Sequence, residues 1–130
     1  GILAIAAGML GANPATAVDI DAHCLTCAQE NAARNGVTIA RTLHGDALRD
    51  PALAREIGGG YDIICANIVA DIIIGMAPMF YEKLAPGGTL IASGILAERA
   101  EEVSAALMRA GFRLDERAAS GGWAAFRASR

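Results

Sequence analysis

Apolar segments of strand length alternate with helical segments along most of this chain, and that alternation constrains the fold more than any other feature. Residues 2–10 are rich in Ala, Ile and Leu, which favour a helix, and Gly11, Asn13 and Pro14 stop it. Residues 16–20 form a short apolar run. Asp21 suits the N-cap of a helix over 22–35, and Gly36 its left-handed C-cap. A second strand is expected at 38–43, then a short helix at 51–57 with Pro51 in its first turn. A third, almost wholly apolar strand is expected at 61–66 and a helix at 71–84, kinked at Pro78. Pro86, Gly87 and Gly88 read as a turn before a fourth strand at 89–93. Residues 98–110 form an amphipathic helix with Ala100, Val103, Leu107 and Ala110 inward. Finally, 112–118 and 123–128 flank Ser120, Gly121 and Gly122, the pattern of an antiparallel hairpin. Continuous apolar strands separated by helices imply an α/β fold: a mostly parallel sheet, helices on both faces, and an antiparallel C-terminal hairpin.

In such sheets ligands sit outside the carboxyl ends of the strands. That rule reduces the candidate residues to Asp19, Ile20 and Asp21; His44, Gly45 and Asp46; Asn67; and Ser93 with Gly94. Asp21 fits the helix cap better than Asp19, which frees the Asp19 carboxylate to accept both hydroxyls of a ribose, with Ile20 beside it. Asp46 can accept from the exocyclic amine of an adenine while the backbone at Ala47 bonds the ring, or can close a turn on its own backbone. Asn67 is an amide emitted by an apolar strand. Its oxygen and the carbonyls after it can accept from an amine, or the side chain can satisfy the strand-to-helix turn. His44 reads as a surface residue.

Charge and cysteine usage exclude other classes. Eleven basic against fourteen acidic groups give a net charge of −3, and Lys83 is the one lysine, so no basic run marks a nucleic-acid surface. Three cysteines suit a reducing cytoplasm better than a disulfide framework. Cys24 and Cys27 form a CxxC, but no second pair completes a zinc site, and no metal is expected. Cys24, Cys27 or Ala28, and Asn31 share a helix face, the cysteine pair fits its inward side, and Cys65 reads as buried in its strand. Met76, Met79 and Phe80 read as core, and Trp123 as packed on the hairpin. Residues 1–18 carry no charge. They lack the charged region of a signal peptide, and Asn13-Pro14 interrupts the length a membrane span needs.

Several short blocks carry a family resemblance in their joint order. They are Gly1 to Ala7, Val18-Asp19-Ile20-Asp21, residues 30–36, residues 66–71, residues 84–88, Ser93-Gly94-Ile95-Leu96 and Gly121-Gly122-Trp123. Together they resemble the class I S-adenosylmethionine methyltransferases and, more narrowly, the PrmA family. That family methylates the large-subunit ribosomal protein numbered eleven. Gly122 departs from an acidic residue in the family's closing motif. The resemblance implies a Rossmann-like class I methyltransferase fold over 1–130, with S-adenosylmethionine as cofactor. It places the ribose-binding Asp on Asp19, the strand-end Asn on Asn67, and the last glycine of the cofactor loop on Gly1.

It also implies a first strand, most of a glycine loop and a substrate-recognition domain upstream of Gly1. The sheet would then be ordered 3-2-1-4-5-7-6 with its centre outside these residues, and the 130 residues alone are expected neither to fold well nor to methylate. The implied reaction is transfer of methyl groups to amines, a lysine side chain or an N-terminal amine, of that ribosomal protein. Asn67 would orient the nitrogen, in a cytoplasmic monomer without nucleic-acid or membrane contacts. The competing readings are another class I methyltransferase, or an NAD-binding Rossmann fragment without catalysis, since Asp19 would serve an NAD ribose equally well.

Overall fold

The computed structural model describes residues 1–130, which fall into two units, Gly1–Ile57 and Gly58–Arg130. In the first, α1 (Ile2–Met9) leads to β1 (Thr16–Asp19), α2 (Ala22–Arg34), β2 (Arg41–His44) and α3 (Pro51–Ile57). Strands β1 and β2 pair in parallel, with Asp19 opposite His44. Asp21 caps α2 as its position predicts, its carboxylate accepting the His23 N–H at 2.8 Å, and Gly36 follows α2 in the left-handed conformation. The buried residues of this unit are Ile5, Leu25, Ala28, Ala32, Leu43, Ala47 and Leu53.

Three expectations shift here. The second strand begins at Arg41 rather than 38, because the Ala15 carbonyl takes the N–H groups of both Ala40 and Arg41 before the ladder starts. The run at 16–20 ends as a strand at Asp19, leaving Ile20 69% exposed. The inward face of α2 is Leu25, Ala28 and Ala32: Ala28 lies on it as the alternative had it, while Cys24, Cys27 and Asn31 stand one residue out of phase. One residue is about 100° of helix rotation, so Cys24 is exposed and Cys27 half-buried.

The second unit holds β3 (Tyr61–Asn67), α4 (Ala70–Lys83), β4 (Leu84–Leu96), a 3₁₀ turn (Ala97–Arg99), α5 (Ala100–Arg109), β5 (Arg113–Ser120) and β6 (Trp123–Ser129). Its sheet is ordered β3-β4-β6-β5, parallel between β3 and β4 and antiparallel elsewhere. The order within each sheet reproduces one outer part of the expected topology, 3-2 and 4-5-7-6. The core packs Ile73, Ala77 and Phe80 of α4 and Val103 and Leu107 of α5 with Leu90, Ala92, Phe126 and Ala128 of the sheet. That burial carries α4 through Pro78 without a break, although a proline in a helix interior costs about 3 kcal/mol.

Strand alternation sends Ile63, Cys65 and Asn67 to the opposite face, so Cys65 is exposed rather than buried. The fourth strand spans thirteen residues and absorbs the expected turn at 86–88. Tyr61 pairs with Leu84, and Gly87 and Gly88 exchange backbone hydrogen bonds with Arg130. The hairpin turns on Gly121 and Gly122, with φ of 58° and 83°, the two left-handed residues of a tight two-residue turn.

On the hairpin, Arg113 Nε lies 2.8 Å from Asp115 Oδ1, and the Ser129 hydroxyl donates to the same oxygen at 3.2 Å. The Arg113 guanidinium, with help from Ser129 and against partial burial, holds the Asp115 carboxyl below the usual carboxylate range. A lowered folded-state pKa contributes stability above the unfolded value of about 3.9, and this is lost as pH falls through the folded value. Thermal melts of the full-length protein between about pH 6 and about pH 3 should therefore show a loss below about pH 4 that Asp115→Asn reduces.

Candidate active site

The strand ends of the first unit bring Asp19 and Ile20 beside His44, Gly45, Asp46 and Ala47. Gly45 N–H donates to the Asp19 carbonyl at 3.0 Å, and His44 Nε2 stands 3.1 Å from the Ile20 carbonyl oxygen. These bonds hold the two strand ends in register. The exposed His44 thereby ties strand ends together. Asp19 is half-buried, and its Oδ1 accepts the Asp21 N–H at 2.9 Å. A carboxylate has about four lone-pair sites, so the bond to Asp21 orients the group and leaves acceptor capacity for a diol.

Asp46 closes a turn on its own backbone, with Oδ1 accepting the Leu48 N–H at 3.0 Å and Oδ2 lying 3.7 Å from Arg49 Nε. Of the two uses weighed for Asp46, this geometry displays the turn. Ala47 is buried, which leaves only its backbone for ligand contact. Gly1 is the N-cap of α1, and a Cβ there would lie 2.4 Å from the Ala28 Cβ. Glycine is thus required for the close approach of α1 to α2.

In the second unit, β3 and β4 end with Asn67 opposite Ser93. Asn67 Nδ2 donates to the Ser93 hydroxyl at 3.0 Å, and the Ile68 N–H donates to the Ser93 carbonyl at 3.2 Å. Both bonds run across the strand ends, so the amide is held by the neighbouring strand. A cavity of about 430 Å³ opens beside it, lined by Asn67, Ser93, Gly94, Trp123 and the small residues around the hairpin turn. Trp123 is 54% exposed along this cavity, a correction to the expectation that it packs the hairpin. Arg99 braces the helix that follows Asn67: Nη2 lies 2.7 Å from Asp71, and Nε lies 2.8 Å from Glu102. These carboxylates push the Arg99 guanidinium pKa further up, Glu102 most.

Sequence reasoning placed Ser93 and Gly94 at a strand end without a role, and it missed Trp123 as a cavity wall. The hairpin spacing was the available signal, since a tight turn brings both arms' tips to one end of the sheet.

A parallel strand pair ending in a poised carboxylate, and a β3-β4-β6-β5 sheet ending in an amide over a cavity, are parts of a Rossmann-like class I methyltransferase fold. An RNA methyltransferase from Salinibacter ruber, solved with S-adenosyl-L-homocysteine, shares that fold with a TM-score of 0.69 at 16% identity, over 99% of this chain and 73% of its own. The family model for ribosomal protein L11 methyltransferase (PrmA) matches residues 1–130, and the chain belongs to that family.

The ribosomal protein L11 methyltransferase of Pelotomaculum thermopropionicum is 43% identical over 129 residues, 98% of this chain and 40% of that protein. The crystal structure of ribosomal protein L11 methylase from Lactobacillus delbrueckii subsp. bulgaricus superposes with a TM-score of 0.87 at 35% identity, over 100% of this chain and 65% of that one. The chain thus spans about 40% of the length of the curated relatives it matches.

Proposed function

We propose that this chain is the catalytic part of an S-adenosylmethionine-dependent N-methyltransferase that methylates lysine or N-terminal amines of ribosomal protein L11. The observation that carries the reading is the Asn67 amide, braced across the strand ends by Ser93 and facing a cavity. Family membership adds the substrate. S-adenosylmethionine, when bound, supplies an electrophilic methyl group on a sulfonium. Asp19, with Ile20 beside it, holds the ribose. Asp46 and the Ala47 backbone stand where an adenine edge would be read, and Gly1 lets the chain approach the cofactor closely.

An amine taking that methyl group would attack with its nitrogen lone pair, the sulfonium would leave as the thioether, and the proton shed by the nitrogen would pass to solvent. That requires a neutral amine, whereas a free lysine, with a pKa of about 10.4, is mostly protonated near neutral pH. The cavity lining includes Ala118, Ala119, Ala124 and Ala125 and no acidic side chain. Such walls desolvate an ammonium without pairing it, which lowers its pKa. Asn67 accepts from the amine and aims its lone pair, and positioning of this kind can supply about 7–11 kcal/mol of a barrier.

Strands β1 and β3 are each an edge strand of their own sheet, with backbone groups open to a further strand. The enzyme acts as a cytoplasmic monomer without nucleic-acid contact. No helix is long and apolar enough to cross a membrane.

Calorimetric titration of the full-length protein tests the cofactor. S-adenosylmethionine should bind at least about tenfold more tightly than NADH. A preference for NADH would overturn the reading in favour of a dinucleotide-binding fold.

A further inference from the structure

We infer that Ser93 and Gly94 are positioning residues for the amine: Ser93 fixes which way the Asn67 amide faces, and Gly94 keeps the space in front of it open. The inference rests on the methyltransferase reading above. An amide can present either its oxygen or its NH₂ to a ligand, and only the oxygen can accept from an amine. The strand register sets Ser93 opposite Asn67, and the Ser93 hydroxyl takes the Nδ2 group at 3.0 Å. With Nδ2 engaged there, Oδ1 is turned toward Gly94.

A Cβ built on Gly94 would stand 3.1 Å from Asn67 Oδ1 and 3.1 Å from the Ile68 carbonyl oxygen. Those two acceptors border the space that the missing side chain leaves, together with the Ile68 nitrogen at 3.1 Å, whose N–H donates to the Ser93 carbonyl. Gly94 also adopts φ of +78°, a conformation that disfavours any other residue, so backbone and space demand the same amino acid. Asn67, Ser93 and Gly94 all line the one cavity. An amine entering it meets Asn67, whose Oδ1 is held as the acceptor on the Gly94 side while Nδ2 is tied to Ser93. Without the Ser93 hydroxyl, the amide is free to turn its NH₂ toward the nitrogen lone pair and block attack.

Steady-state kinetics of the full-length protein with ribosomal protein L11 separate this role from a structural one. Ser93→Ala should lower kcat by about tenfold, the effect of losing one orienting hydrogen bond, with S-adenosylmethionine affinity and substrate KM within about twofold. Ser93→Thr, which keeps the hydroxyl, should recover most of the rate. Ser93→Cys keeps the volume with a weaker acceptor and should be as slow as Ser93→Ala, which covers the case of a poorly folding alanine variant. In an Asn67→Ala background the Ser93→Ala substitution should cost nothing further, because coupled residues are not additive. Equal rates for wild type and Ser93→Ala, a slow Ser93→Thr, or full additivity with Asn67→Ala would each overturn the inference while leaving the methyltransferase reading intact. A wild-type protein that methylates no amine would overturn both.

Discussion

Asn67→Ala in the full-length protein should slow methyl transfer by about 100-fold, while S-adenosylmethionine affinity falls by less than about tenfold. The asymmetry follows from what the side chain does. Asn67 ends β3 with one Nδ2 hydrogen given to Ser93, and that bond fixes where its Oδ1 acceptor stands at the cavity. On the proposed role, removing that acceptor should cost orientation of the amine before it costs cofactor binding. Single-turnover rates with cofactor and substrate both saturating isolate this step. Asn67→Asp is a useful second variant. It keeps an acceptor but adds a charge that stabilises the ammonium, so its rate should rise with pH more steeply than that of the wild type. Unchanged single-turnover rates in Asn67→Ala would remove Asn67 from the mechanism.

Asp19→Ala should weaken S-adenosylmethionine binding by about 10- to 100-fold, since hydrogen bonds to a charged group contribute about 1.5–3 kcal/mol each and about 1.4 kcal/mol is tenfold in affinity. The Asp21 N–H on Oδ1 holds the carboxylate before ligand arrives, so little ordering is left for binding to impose. Asp19→Asn keeps an acceptor for that N–H but loses the charge. It should show most of the affinity loss with little change in melting temperature. Calorimetry on the three proteins reads both effects, and wild-type affinity in Asp19→Asn would place the ribose elsewhere.

Much of this was legible in the residues, for physical reasons. Helix ends are written locally: Asp21 and Gly36 mark the bounds of α2 because an N-cap carboxylate and a left-handed glycine each act within a few residues. The hairpin was equally readable from Gly121 and Gly122. What escaped was decided by distant partners. Strand β4 ran through Pro86, Gly87 and Gly88 because Arg130, far along the chain, supplies their backbone partners. The inward face of α2 differed by one residue because Cys, Thr and Ala are too alike in size and polarity to fix a helix phase. Leu25 was the better guide. Trp123 read as packed on the hairpin, yet its place at the start of β6 leaves it exposed along the cavity.

The site divided the same way. Strand-end logic put Asp19, Asp46 and Asn67 at or just after the carboxyl ends of their strands, where the structure has them. The bond between Asn67 and Ser93 depends on parallel register, which no single segment encodes.

The intact mass of ribosomal protein L11 after incubation with the full-length protein and S-adenosylmethionine reads the proposed reaction itself. Mass gains in whole methyl increments are expected, localised by fragmentation to lysine or N-terminal amines and absent without cofactor. An unchanged mass under conditions where the cofactor is bound, or methyl groups found only on side chains other than amines, would contradict it.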